Sequence, residues 1–253
     1  MPPLFLCVRY VRKCGIPMRL REKKDKSPGC SAVIAAAGVS KRMGGVDKLL
    51  LDINGAPVLV HSLKQFQNSN CISEIIVVSQ SMLLKQITEL CNQFGITKIT
   101  AIIPGGSTRL ESVLAGVYST SKTSRFIAVH DGARPCVSEA IIHETVTAAV
   151  KYNAAAPGIQ ITSTVKRANN GVIVETIDRE NLFEIQTPQV FASELIKAAL
   201  TNAYRKSIAI TDDCMAVELL GAAVHITKGS PDNIKLTSPD DIPALERILH
   251  GVE

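Results

Sequence analysis

After residue 30, runs of branched apolar residues alternate with stretches whose apolar positions recur every three or four residues. Short apolar runs bounded by turn residues predict buried strands, and the three-to-four spacing predicts amphipathic helices. Ser31 to Ile34 reads as a first strand. Leu49 to Ile53 is strand-like, and Pro57 to Gln67 carries Leu59, Leu63 and Phe66 at helical spacing. Glu74 to Ser79 is a second buried strand, followed by a helix from Met82 to Phe94 with Leu83, Ile87, Leu90 and Phe94 on one face. Lys98 to Ile103 is a strand ended by Pro104-Gly105-Gly106. A helix over Arg109 to Tyr118, a strand over Arg125 to His130 and a helix over Ser138 to Val150 follow, with Ser138 as its N-cap. This rhythm predicts one α/β domain: a mostly parallel sheet, helices on both faces, and a ligand site at the C-terminal ends of the strands.

The rhythm breaks after Ile159. Ile161 to Ala168, Asn169-Asn170-Gly171 and Val172 to Ile177 read as strand, tight turn and strand, since Asn and Gly tolerate the positive φ of a hairpin turn. Such an excursion either folds back on its own domain or pairs with another subunit. Helical spacing returns at Ser193 to Tyr204 and after Thr211-Asp212-Asp213. Val224 to Thr227 reads as a strand, and a last helix follows Ser238-Pro239-Asp240.

With 253 residues, 46% of them hydrophobic, the chain can bury a full core. Trp is absent and aromatics make up 4%, so the core is aliphatic and base stacking on aromatic platforms is disfavoured. No apolar run approaches the ~18 residues of a membrane span. The net charge of +5 is unevenly placed. Residues 1–30 hold eight Lys or Arg against Glu22 and Asp25, a balance of +6, so the remainder carries −1 and has no electrostatic reason to bind nucleic acid. Residues 1–30 therefore read as a flexible basic extension, with Met18 as an alternative start. A plastid-type transit segment fits less well, because the stretch lacks Ser-richness. The seven cysteines include no Cys-x-x-Cys, which argues against zinc and for a reducing, cytoplasmic setting. Cys71 and Cys91 sit among apolar residues and are expected to pack as small hydrophobes.

Candidate chemistry gathers where strands end. The loop Ala35-Ala36-Ala37-Gly38 to Lys48 combines small residues with Lys41, Arg42 and Lys48. Small residues let backbone N–H groups approach phosphates, and the cations offset their charge. It is neither Gly-x-Gly-x-x-Gly nor a P-loop. In His130-Asp131-Gly132-Ala133-Arg134-Pro135, Asp131 follows a buried strand and can hold Mg²⁺, and Arg134 can fork onto a phosphate. Gly105-Gly106 opens a helix whose first turn and Ser112 hydroxyl can read a base edge or a ribose; Arg109 there reads equally as structural, paired with Glu111 or a carbonyl. Thr211-Asp212-Asp213 is first of all a helix cap, and Lys235 a strand-edge lysine. His61, His143, His225 and His250 have no carboxylate or Cys partner at ligand spacing.

Together these segments resemble the 2-C-methyl-D-erythritol 4-phosphate cytidylyltransferase family over roughly residues 31–250. The matching motifs are Ala36-Ala37-Gly38-x-x-x-Arg42-Met43 with Lys48, Gly105-Gly106-x-x-Arg109-x-x-Ser112-Val113, and His130 to Pro135. They continue with Thr164-Val165-Lys166, Asp178-Arg179, Gln186-Thr187-Pro188-Gln189, Thr211-Asp212-Asp213 and Asn233-Ile234-Lys235-Leu236-Thr237. The resemblance implies a Rossmann-like nucleotidyltransferase domain over 31–250 with a projecting β-arm at about 161–186. It implies transfer of CMP from CTP to methylerythritol phosphate in isoprenoid biosynthesis, release of pyrophosphate, Mg²⁺, and a homodimer whose arm reaches the other subunit.

The same resemblance implies Arg42 and Lys48 as catalytic residues. Ala36, Ala37, Gly38, Gly106, Ser112 and Asp131 would bind the nucleotide, and Asp131 the metal. Asp131, Arg134, Thr164, Arg179, Thr211 and Lys235 would hold the acceptor, with Arg179 supplied by the partner. Two departures stand out: Asp47-Lys48-Leu49 replaces a frequent Pro-Lys-Gln, and Ser107 stands where an acidic residue is frequent. The rival readings are a ribitol-5-phosphate cytidylyltransferase, a non-catalytic nucleotide-binding module, and a reductase, the last disfavoured by the missing dinucleotide fingerprint.

Overall fold

A computed structural model describes residues 29–38 and 47–251. The expected extension at 1–28 and the loop 39–46, which includes Lys41 and Arg42, lie outside the described residues. The first apolar run forms β1 (Cys30–Ala36). It pairs in parallel with β4 (Ile72–Ser79) on one side and β6 (Phe126–Asp131) on the other. Beyond β4 lies β5 (Ile99–Pro104), also parallel. These strands are apolar on both faces, the pattern of a sheet covered by helices on both sides.

Alternation along the strands sorts two cores. Ala32 and Ile34 of β1, with Ile75 and Val77 of β4, pack with α1 (Val58–Asn68), α2 (Leu84–Gln93), α4 (Glu139–Tyr152) and α7 (Ile242–His250). Val33, Ile76, Val78, Ile127 and Val129 pack with α3 (Arg109–Tyr118), α5 (Ser193–Arg205) and α6 (Asp213–Glu218). Each fully buried Ile, Leu or Val there is worth roughly 1.5–3 kcal/mol. Cys71 and Cys91 lie in the first of these cores, as small hydrophobes.

The Ser138 cap forms as the sequence predicts, and the structure adds further caps. The Ser138 hydroxyl accepts from the Ile141 N–H at the start of α4, and Asn153 ends that helix with φ +69°. Thr108 and Glu111 form a reciprocal capping box on α3. The helix expected from Met82 begins instead as a single 3-10 turn over Ser81–Leu83, with α2 following. The early strand expectation over Leu49 to Ile53 reduces to a two-residue pairing of β2 (Asp52–Ile53) with β3 (Ala56–Pro57).

The other half of the sheet is less regular. β7 (Ala154–Gln160) receives β12 (His225–Lys228) in parallel. Between β6 and β7 lies the short antiparallel strand β11 (Gln189–Ala192), paired Val190 to Ala128 and Val190 to Ala155. β10 (Phe183–Ile185), inside the stretch expected as the arm, pairs with Gly158–Gln160 of β7 in the main sheet. What leaves the body is the hairpin β8 (Val165–Asn169) and β9 (Val172–Ile177), which pair only with each other among the described residues. Its turn has Asn170 at φ +48° and Gly171 at φ +80°, the conformation that Asn-Gly tolerates. Val172, Ile173 and Val174 are 65%, 62% and 59% exposed, an apolar strand that the body does not cover.

Candidate active site

Parallel pairing brings several strand ends to one place. Ala35 is opposite Asp131, Ala36 opposite Ser79, and Ser79 opposite Pro104. The predicted nucleotide residues therefore converge. Ala36, Ala37 and Gly38 continue β1, and the Ala35 carbonyl accepts from the Gly132 N–H at 3.0 Å. Gly105 is a point of close approach: a Cβ there would meet Ala37 Cβ at 2.4 Å and Ser112 Oγ at 2.7 Å. The Ser112 hydroxyl accepts from the Gly106 N–H at 3.1 Å and donates to the Thr108 carbonyl at 2.9 Å. It thus shapes the Gly106 turn and retains one lone pair for a ligand. Ser107, the second departure, is exposed and its N–H donates to Glu111 Oε2.

Asp131 is the electrostatic centre. Its Oδ2 lies 2.7 Å from Lys235 Nζ and 3.7 Å from Arg134 Nε, and its Oδ1 lies 3.7 Å from Arg109 Nη2. Burial alone would raise its carboxyl pKa. Lys235, then Arg109, outweigh that and hold it down at about 2, so it is ionised at any working pH. Arg134 Nη1 donates to the Asn233 carbonyl at 2.7 Å, while its buried Nε makes no hydrogen bond. Lys48 Nζ donates to the Leu236 carbonyl at 2.8 Å, and the Leu236 N–H donates to the Ala133 carbonyl. The segment Asn233 to Leu236 thus gathers Lys48, Asp131, Arg134 and Lys235. The carboxylate of Asp47, the first departure, accepts from the Leu49 N–H at 3.0 Å and from Gln80 Nε2 at 3.2 Å, which braces the loop end.

The expected metal role of Asp131 does not fit this geometry. A divalent cation on its carboxylate would displace Lys235 and sit beside two guanidinium groups. No group of three His, Cys, Asp or Glu suited to a metal occurs among the described residues. Asp131 is instead the shared counter-ion of three cations.

Thr164 and Arg179 are exposed, on the two legs of the arm next to the Val165–Ile177 pair. Thr211 is exposed just before α6, its hydroxyl 3.7 Å from Met215 Sδ. No contact joins these three to Asp131 within the described chain. A cavity of about 760 Å³ is lined by Arg134, Asn233 and Lys235 together with Thr162, Ser163 and Glu184 from the base of the arm.

Three features were not assigned roles from sequence. Arg109 pairs with neither Glu111 nor a carbonyl but with Asp213. Burial would lower its pKa, and Asp213 overrides this and raises it. Gln186, Thr187 and Gln189 form a polar hub. Thr187 Oγ1 accepts from the Asp131 N–H at 3.1 Å, and Gln186 Oε1 accepts from Asn233 Nδ2 at 3.2 Å. The prior signal was the match of Gln186-Thr187-Pro188-Gln189 to a family motif, which carried no role for these residues. The Thr187-Pro188 bond is cis.

The third is His130, which is fully buried with Nδ1 2.9 Å from Thr187 Oγ1 and Nε2 3.1 Å from the Arg134 carbonyl. The carbonyl requires a proton on Nε2, so the neutral tautomer satisfies both contacts. Burial above all lowers its pKa to about 4 from an ordinary 6.5. Because protonation favours the unfolded chain, this contribution is complete above pH 6.5 and is lost as pH falls toward 4. Up to about 3 kcal/mol is involved. Asp131 loses its own contribution only lower, below 3.8 and toward 2. Denaturant titrations at pH 7, 6 and 5 are expected to show stability falling on acidification, with a shallower fall in His130→Gln. Equal slopes in the two proteins would refute the assignment.

Comparison with known proteins accords with this geometry. The family model for 2-C-methyl-D-erythritol 4-phosphate cytidylyltransferase matches residues 30–251. The enzyme of that name from Halalkalibacterium halodurans is 38% identical over 220 residues, 87% of this chain and 96% of the relative. Its namesake from Clostridium beijerinckii is 39% identical over 227 residues, 88% of this chain and 99% of the relative. The crystal structure of 4-diphosphocytidyl-2C-methyl-D-erythritol synthase from Anaerococcus prevotii superposes with a TM-score of 0.78 at 27% identity, covering 87% of this chain and 96% of that one. The Thermus thermophilus cytidylyltransferase structure gives 0.74 at 27% identity, covering 87% and 98%. Matched by the family model over residues 30–251 and 38–39% identical to these enzymes over most of its length, this chain belongs to the 2-C-methyl-D-erythritol 4-phosphate cytidylyltransferase family.

Proposed function

We infer that this protein transfers CMP from CTP to 2-C-methyl-D-erythritol 4-phosphate, releasing pyrophosphate, in the synthesis of isoprenoid precursors. The observation that carries the reading is the gathering of Arg134 and Lys235 about Asp131 where β1 and β6 end, with Lys48 anchored one residue away on the Leu236 carbonyl. The acceptor phosphate is already an anion at neutral pH, so its oxygen can attack the α-phosphorus without a general base. The bond from that phosphorus to the bridging oxygen breaks, and the electron pair leaves with pyrophosphate. The barrier is one of bringing two anions together in line and spreading charge on the transferred group.

The roles divide by position. Ala36, Ala37 and Gly38 offer backbone groups to the nucleotide, and Ser112 offers its hydroxyl on the Gly106 turn, whose N–H that hydroxyl already holds. Lys48, together with Arg42, stabilises charge on the α-phosphate and the leaving pyrophosphate. Arg134 and Lys235, aimed by Asp131, hold the acceptor phosphate together with Thr164, Thr211 and Arg179. Any magnesium the reaction uses would have to be held by groups other than the Asp131 carboxylate, which faces three cations. The working unit is a homodimer in which Arg179 comes from the neighbour's arm, an arrangement favoured by the uncovered Val172, Ile173 and Val174. The setting is the reducing cytoplasm, in line with the free thiols of Cys30, Cys71, Cys91, Cys136 and Cys214.

Pyrophosphate release with a panel of four nucleoside triphosphates, against methylerythritol phosphate and ribitol 5-phosphate, tests the reading. Turnover with CTP and methylerythritol phosphate is expected to exceed every other pair by at least about tenfold, since a site built to hydrogen-bond its substrate rejects one that leaves those groups unpaired. Equal turnover with ATP or UTP, or with ribitol 5-phosphate, would overturn it.

A further inference from the structure

Arg109 and Asp213 are far apart in sequence and open different helices. Arg109 is the first residue of α3, three residues after Gly106. Asp213 is the first residue of α6, two residues after Thr211. Both helices pack on α5. Their ends are joined by a fork: Arg109 Nη1 donates to Asp213 Oδ1 at 3.0 Å, and Nη2 donates to Oδ2 at 2.7 Å. Two parallel charge-assisted bonds fix direction as well as distance, which one ammonium group cannot do.

The fork spans from interior to site. Asp213 is fully buried, while the Arg109 side chain is 32% exposed and its Nη2 also faces Asp131. The backbone of the aspartate is fixed as well. Gln189 Oε1 accepts from the N–H groups of Asp213 and Cys214, at 3.0 and 3.1 Å, and Gln189 Nε2 donates to Asp212 Oδ2 at 2.8 Å. The start of α6 therefore cannot shift without moving Arg109 or Gln189. A simple strut would also neutralise a buried carboxylate. It would not need to end beside the nucleotide turn at one side and the acceptor threonine at the other.

We propose that the Arg109–Asp213 fork is a positioning link between the two subsites: a nucleotide seated on the Gly105-Gly106 turn fixes Arg109, and through Asp213 sets the Thr211 segment that receives the acceptor. This rests on the assignment of subsites made above. Its consequence is a coupling, in which the bound nucleotide raises affinity for the polyol phosphate and, by linkage, the reverse.

Titration calorimetry tests it. The dissociation constant of methylerythritol phosphate is measured with and without a saturating non-reactive α,β-methylene analogue of CTP and magnesium. In the unsubstituted protein the analogue is expected to tighten acceptor binding by about tenfold, within the usual range of coupling factors. In Arg109→Lys, which keeps a cation but loses the fork, and in the isosteric Asp213→Asn, the factor falls below about twofold while each ligand alone still binds. In turnover the acceptor KM rises more than kcat falls, a split that a strut does not produce. Circular dichroism melts accompany each variant. A folded variant that retains the full coupling, or loss of folding in both variants, overturns the link in favour of a strut. Failure of the unsubstituted protein to bind CTP or the acceptor at all overturns the subsite assignment itself, and is seen before any variant is made.

Discussion

Lys48→Ala is expected to lower turnover by about 10²-fold or more while the affinity for CTP falls by less than about tenfold. The first figure is the loss that follows removal of one preorganised donor from a site of developing charge. The split between the two figures comes from placement. Lys48 Nζ is anchored on the Leu236 carbonyl, one residue from Lys235 and its partner Asp131, where the acceptor phosphate and the α-phosphate must meet. A cation held there by the fold rather than by the ligand has little reorganising to do when charge shifts toward pyrophosphate. In the proposed site, by contrast, binding of CTP is shared with Ala36, Ala37, Gly38 and the Ser112 hydroxyl. Steady-state kinetics with separate nucleotide binding measurements give the answer. If CTP affinity collapses and turnover survives, Lys48 is a ground-state ligand and the proposed role is wrong.

Mixing inactive Arg179→Ala subunits with inactive Lys48→Ala subunits is expected to restore activity, to about a quarter of the native value. Random exchange makes half of the dimers mixed, and each mixed dimer has one site with a native loop and a native arm. The expectation starts from the hairpin. β8 and β9 pair only with each other among the described residues, and Val172, Ile173 and Val174 face outward. A two-stranded hairpin is marginal in water, so a surface that buries this strand is expected, and a second copy can supply it. Arg179 stands at the foot of that arm without contact to Asp131, Lys235 or Lys48 of its own chain. Subunit exchange is verified independently, for instance by mass tagging. With exchange shown, no recovery on mixing would place Arg179 in its own chain's site or outside any site.

What could be read from the chain alone was whatever is decided within a few residues. The span of α3, the Ser138 cap of α4, the Asn170-Gly171 turn and the strands β1, β4 and β6 follow from local periodicity, capping and the φ preferences of Asn and Gly. The loops at strand ends were legible for the same reason, because small residues and cations beside an apolar run carry their chemistry locally. The motif order was specific enough to indicate the family. Non-local pairing was not legible. Gln189–Ala192 is too short and too uniformly buried to announce itself, and it becomes a strand only because β6 and β7 present open edges on either side. Arg109 has an acidic neighbour at Glu111, yet Glu111 is taken by the capping box and the guanidinium turns to Asp213. Asp131 reads as a metal ligand from its place after a strand, until folding brings Lys235, Arg109 and Arg134 around it. A lone carboxylate in sequence has many possible partners. The fold chooses among them, because burying a charge is tolerable only where opposite charges from distant segments arrive with it.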